Sequence, residues 1–230
     1  MRTVGFNVPE KFAGQQVVLK DELLKLVNKN KMFKGAVVRL SVFRTDGKNI
    51  LPDNDNAEYT AEAFALESGK FTLNRKGLVL TLYNKIPLNV NIFSNFSSAA
   101  DGLVRISAAR YTVTECADDA VLVNTLGNIV DSVFGGNVFI IKDKQILTPR
   151  LDDGSYNDVM RMQILEAAME SGYEPVTKNH ITAIDLESAD EIFTASTHKG
   201  INWIGAYNNR RFYKTAAEVI CEKLNAKYIN

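Results

Sequence analysis

Two cysteines, five prolines, one tryptophan and two histidines in 230 residues exclude more chemistry than they allow. Cys116 and Cys221 are too far apart for a metal or dithiol motif, so both are read as free thiols of a reducing compartment. His180 and His198 have no matched acid or nucleophile in the sequence, which makes them structural histidines rather than catalysts. Net charge is also missing: 27 basic residues cancel 27 acidic ones. With no block of like charge, nothing in the sequence favours nucleic acid or an anionic membrane. No apolar run reaches the roughly 18 residues of a membrane span, and MRTVGFNVPEKF lacks an export-type apolar core, so the chain is read as cytoplasmic. Zinc spacings, phosphate-binding glycine loops and G-x-S-x-G elbows are absent, and no metal site is expected.

What is present, 46% apolar and 23% charged residues, is enough to bury one large core or two modest ones. Asp21 to Asn30 has apolar residues at helical spacing behind an acidic turn. Strands are expected at Ala36 to Thr45, Tyr59 to Leu66 and Gly77 to Tyr83, with β-branched and aromatic residues bounded by turn formers. Periodicity is lost around the proline of NKIPLNVN, which suggests a linker at 85–91 between domains 1–84 and 92–230. The second half promises a helix at Ala99 to Val113 and a strand at Ala120 to Asn124. A hairpin follows, from Asn137 to Ile141 and Gln145 to Leu147, then a helix at Asn157 to Ser171, a strand at Glu191 to Ala195 and a last helix at Ala216 to Leu224. Helix followed by strands describes an α+β fold.

One ordered set of motifs narrows this reading. Ser94-Asn95-Phe96-Ser97-Ser98 precedes the second-half helix. It is followed by Asp118-Asp119, Leu122, Asn124, Gly127-Asn128-Ile129-Val130-Asp131 and Asn137-Val138-Phe139. RLSVFRTDG, GLVLTLY, ILTPRLDDGSYNDVMR and EIFTASTHKGINWI extend the set over nearly the whole chain. The series resembles the class IV aminotransferases, pyridoxal-phosphate enzymes of fold type IV. The resemblance implies two domains, the first an incomplete α/β sandwich and the second a mixed sheet or barrel with helices. It also implies a start about 50 residues into the family pattern, without the segment whose arginine grips the cofactor phosphate.

By the same resemblance, Ser97 stands where the family has its Schiff-base lysine, so no catalytic lysine is retained. Asp131 stands where a glutamate pairs with the pyridine nitrogen. Val159-Met160 stand at the helix start and Thr197-His198 in the second loop whose backbone amides would hold the phosphate, and Asp158 replaces a glycine at the helix entry. Asp158 is equally a good helix N-cap. Phe134, in an altered turn, is placed to intrude on the site; Lys85 near the linker and Lys199 in the late loop are the other candidate amines for the missing lysine's role, and nothing in the sequence marks either as a base. A serine can neither hold the cofactor aldehyde nor move protons at the substrate carbon. The expected function is therefore an aminotransferase-like protein with impaired or no catalysis, pyridoxal phosphate as its cofactor by resemblance, an amino-acid-like ligand, and a homodimer. The alternative is an active branched-chain or D-amino-acid aminotransferase, or an aminodeoxychorismate lyase.

Overall fold

The structure is a computed structural model and describes residues 5–9, 12, 16–45, 53–95, 101–176 and 180–228. Ser97, the position on which the sequence reading turns, lies outside the described residues. The chain forms two compact units, Met1–Gly69 and Lys70–Asn230.

In the first unit, helix α1 (Gln16–Lys29) is followed by strands β1 (Ala36–Arg44) and β2 (Ala57–Ala65). The strands pair antiparallel from Ala36↔Ala65 to Arg44↔Ala57. Arg39 faces Glu62 across the ladder, with Nη2 and Oε2 2.7 Å apart, the directly opposed ion pair that fixes register on a solvated face.

The second unit is built on one mixed sheet of nine strands. They are β3 (Leu78–Leu88), β4 (Asp119–Asn124), β5 (Ile129–Ser132), β6 (Asn137–Lys142), β7 (Gln145–Leu147), β8 (Glu174–Val176), β9 (Glu191–Ser196), β10 (Gly200–Tyr207) and β11 (Arg210–Arg211). Their order is β5-β4-β3-β10-β9-β6-β7-β8, with β11 on β10. The pairs β3–β4, β3–β10 and β7–β8 are parallel and the rest antiparallel. Helices α2 (Gly102–Thr114), α3 (Val159–Glu170), α4 (Ala183–Glu187) and α5 (Thr215–Tyr228) accompany it, with a 3-10 turn at Leu151–Asp153. This is the expected α+β architecture with a mixed sheet.

The buried strands read as continuous apolar runs because both faces are covered. One layer packs Phe139, Phe193 and Ile201 against Ile164 of α3 and Ile220 of α5. Another gathers Leu80, Val121, Ile140, Ile192 and Tyr207. A third places Tyr83, Leu122 and Val130 against Ala108 of α2. Tyr207 thus belongs to the core. Trp203 is fixed by Asn74, whose carbonyl accepts from the indole Nε1 at 2.8 Å.

The segment expected as a linker, 85–91, begins inside β3. The β3–β4 ladder jumps from Tyr83↔Leu122 to Leu88↔Asn124, and this irregularity accommodates Pro87 where a regular strand would need its missing N–H. Strand β10 was not anticipated as a separate element, because its glycines and asparagine disguise it. Its φ of +67° at Gly200 and its close approach to β3 at Gly205 account for those glycines.

Candidate functional site

Asp131, near the end of β5, is fully buried. Its Oδ1 accepts from Ser155 Oγ at 2.9 Å and from Asn137 Nδ2 at 3.2 Å. Its Oδ2 accepts from the Tyr156 backbone N–H at 3.1 Å and lies 3.8 Å from Arg105 Nη2. A strand, a loop and a helix therefore converge on one carboxylate. Burial is the dominant influence and pushes its pKa up to about 6, against the lowering effect of Arg105 and the three hydrogen bonds.

Arg105 reaches this pocket from α2. Its guanidinium lies over the Tyr156 ring, 4.6 Å from the centroid, and Nη1 donates to the Ser132 carbonyl at 3.3 Å. Its Nε and the Asn137 Oδ1 are buried and have no hydrogen-bond partner. Sequence reasoning missed Arg105, Ser155 and Tyr156. The available signal was a cation at helical spacing from Ala108 and Thr112, the two buried residues of α2.

A second buried carboxylate shapes the turn after Asp131. Asp119 accepts the backbone N–H groups of Phe134 at 3.0 Å, Gly135 at 3.0 Å and Ala120 at 2.8 Å, and burial raises its pKa. Gly135 is obligatory there, since a Cβ would lie 2.0 Å from Thr194 Oγ1. In Asp119→Asn the new NH2 group faces either the Gly135 N–H, which keeps only Ser132 Oγ as acceptor, or the Phe134 and Ala120 N–H groups, and the change should cost about 2 kcal/mol. Urea titration against the parent checks this, and a change below 0.5 kcal/mol, roughly the scatter of surface substitutions, refutes it. Phe134 is 38% exposed, and Lys199 Nζ sits 5.2 Å from its ring centroid. Lys85 Nζ sits over Tyr111 instead, at 4.3 Å.

Of the five residues expected to bind cofactor, Val159, Met160 and Thr197 are brought together; they line a pocket of about 190 Å³ with Phe71, Gln163, Leu224 and Tyr228. Asp131 and His198 do not line it, and His198 lies exposed in the β9–β10 turn. At the head of α3, Asp158 is the N-cap, accepting from the Arg161 N–H at 2.8 Å. Arg161 itself donates to Thr148 Oγ1 at 2.9 Å, to the Pro149 carbonyl at 2.6 Å and, at 3.4 Å, to the same Ser155 Oγ that donates to Asp131.

His180 has an acid partner that the sequence did not reveal: Asp153 Oδ1 lies 2.9 Å from its Nδ1. Asn124 and Asn128 also donate to Asp153, so the Asn-x-x-Gly-Asn turn is held by a polar cluster. Asn95, two residues before Ser97, donates to the carbonyls of Leu151 and Ser155 at 2.7 and 2.8 Å. The same 3-10 turn thus anchors the approach to position 97 and the donors to Asp131.

These residues do not fit a phosphorylated pyridoxal ring. A carboxylate offers about four acceptor positions; Ser155, Asn137 and Tyr156 use three, and Arg105 faces the fourth. Among the described residues the lining of the Val159–Met160–Thr197 pocket holds no lysine or arginine and is almost wholly apolar, and the Asp158 carboxylate caps the helix that starts at Val159, so a phosphate dianion would meet a like charge there. Among the described residues no cluster of three or more His, Cys, Asp or Glu side chains could hold a metal. No helix among them is long and apolar enough to cross a membrane.

Comparison with known proteins gives this arrangement a lineage. The probable branched-chain-amino-acid aminotransferase of Synechocystis sp. is 25% identical over 209 residues, covering 90% of this chain and 67% of the relative. The mitochondrial branched-chain-amino-acid aminotransferase 1 of Arabidopsis thaliana is 26% identical over 103 residues, 44% of this chain and 27% of the relative. The match thus spans between about a quarter and two thirds of these relatives' own lengths. The branched-chain aminotransferase of Thermoproteus uzoniensis, solved with norvaline, superposes with a TM-score of 0.82 at 21% identity, over 97% of this chain and 74% of that one. The branched-chain amino acid aminotransferase of Thermobaculum terrenum, solved in its PLP form, gives 0.77 at 16% identity, over 90% and 68%. The family described as amino-transferase class IV matches residues 13–206, a stretch that includes the Asp131 pocket and both loops expected to bind phosphate. The chain belongs to the class IV aminotransferases.

Proposed function

We propose that this protein is a class IV aminotransferase homologue that has lost the family's pyridoxal-phosphate chemistry and keeps the fold as a binding or interaction scaffold. The observation that carries the reading is the buried Asp131 carboxylate, its acceptor positions taken up by Ser155, Asn137 and Tyr156 and faced by Arg105. Ser97 supports it from the sequence, since a hydroxyl cannot form an imine with an aldehyde. Asp131, Val159, Met160, Thr197 and His198 are then remnants of a cofactor site. A homodimer, a cytoplasmic location, an amino-acid-like ligand and a domain boundary at the 85–91 linker belong to the same proposal, by likeness to the family.

A second reading has one specific observation behind it: Lys199 lies against Phe134, in the turn that follows Asp131. In an active aminotransferase or aminodeoxychorismate lyase, that amine would replace the one missing at position 97. Titration with pyridoxal phosphate, followed by borohydride reduction and peptide mapping, separates the two. The expected result is no saturable visible band and no site-specific adduct. A stoichiometric adduct at Lys199 or any other single lysine would establish the second reading.

A further inference from the structure

Arg105 is a charged side chain carried on the helix that follows position 97, and nothing in the family resemblance assigns it a role. Its surroundings are those of a held ligand. The guanidinium plane covers the Tyr156 ring at 4.6 Å, Nη1 donates to the Ser132 carbonyl, and Nη2 faces Asp131 Oδ2 at 3.8 Å. Of the Asp131 oxygens, Oδ1 takes two of the three short hydrogen bonds, whereas Oδ2 takes only the Tyr156 N–H. Arg105 therefore stands at the one side of the carboxylate that the loops leave open.

We infer that Arg105 is an internal surrogate for a planar cationic ring, closing the Asp131 pocket from within the chain and excluding pyridoxal phosphate independently of the residue at position 97. This rests on the reading of Asp131 as the former ring-nitrogen partner. A guanidinium is planar, delocalised and permanently charged, and it stacks on aromatic faces, so it reproduces the charge and planarity of a protonated pyridine at any physiological pH. The geometry also explains why a buried carboxylate is tolerated at the end of β5: the counter-charge comes with the fold. A further consequence concerns repair. Putting an amine at position 97 supplies a covalent tether but leaves the ring's place filled.

Four proteins test this: the parent, Ser97→Lys, Arg105→Ala and the double variant, each titrated with pyridoxal phosphate by absorbance and mapped after borohydride. The expected outcome is that Ser97→Lys binds no better than the parent. The double variant should gain at least about tenfold in affinity, about 1.4 kcal/mol, with the adduct at position 97. If Ser97→Lys alone binds as tightly as the double variant, or if the folded double variant gains nothing, the inference is overturned. A parent protein that forms a specific adduct would instead overturn the proposed loss of function, whatever Arg105 does. Arg105→Gln replaces alanine if the truncated variant does not fold, with the same two outcomes deciding.

Discussion

Replacing Asp131 with alanine should cost about 3–5 kcal/mol, the range for deleting one partner of a buried ion pair. The loss has two parts. Ser155 Oγ, Asn137 Nδ2 and the Tyr156 N–H lose their shared acceptor, and Arg105 loses the charge it faces. Asp131→Asn, which keeps one carbonyl oxygen, should cost much less near pH 5 than the alanine variant does. The comparison between the parent and its Asp131→Asn variant also has a defined pH dependence. Burial raises the folded-state pKa from an ordinary 3.8 to about 6, so the native state binds a proton more readily than the unfolded chain. The stability that Asp131 contributes relative to asparagine is therefore fully present below about pH 4 and is lost as pH rises through about 6. The whole change amounts to about 3 kcal/mol. Asp119 and Glu191, also raised by burial, act in the same direction but are common to both proteins and cancel in the difference. Denaturant titrations of both proteins at several pH values between 4 and 7.5 supply the measurement. A difference that stays level across that interval would show that desolvation does not govern this carboxylate.

The second large effect is expected far from any polar chemistry. Gly77→Ala should lower the melting temperature of the 70–230 unit by about 10 °C, from about 3 kcal/mol of overpacking at a few degrees per kcal/mol. A Cβ at position 77 would lie 2.4 Å from the Gly205 Cα and 2.5 Å from the Trp203 ring. Neither neighbour can yield cheaply. Gly205 lies where the β10–β3 register shifts between Ile204 and Ala206, and its carbonyl accepts from the Phe212 N–H at 3.1 Å. Trp203 is held at both its backbone and its indole nitrogen by Asn74. Gly102→Ala in α2 serves as the control, because a Cβ there meets nothing within 4 Å. Differential scanning calorimetry of the two variants decides, and a Gly77→Ala protein that melts with its parent would refute the clash.

Much of this fold was legible because its signals are local. Asp119–Asn124 is apolar through Ala120-Val121-Leu122-Val123 and bounded by polar ends, and it forms the fully buried β4. The hairpin of β6 and β7 appears where Lys142-Asp143-Lys144 breaks the apolar pattern, with Asp143 and Lys144 at φ of +49° and +61°. Strand β10 was hidden because one of its glycines, Gly205, answers to Gly77, a partner more than a hundred positions away in the sequence. The site was legible only in part for the same reason. Asp131 and positions 159–160 carry family spacing, but the donors to Asp131 come from positions 137, 155 and 156 and the cation it faces from position 105. His180 likewise finds Asp153 only through the folding of the 3-10 turn. Contacts between segments so far apart leave no periodic mark in either one.

Both margins of the large sheet are closed to further growth. On one side β8 is three residues long with Pro175 at its centre, so an approaching chain finds few hydrogen-bond donors to extend from. On the other, β5 is buried along its whole length, and Ile129 and Ser132 already donate to Ile181 and Gly136. A sheet of nine strands with apolar faces is the kind of surface that seeds fibrils when its rims are left open. Here the proline on one rim and the already donated amides on the other make both ends of this strand order poor templates for a further strand.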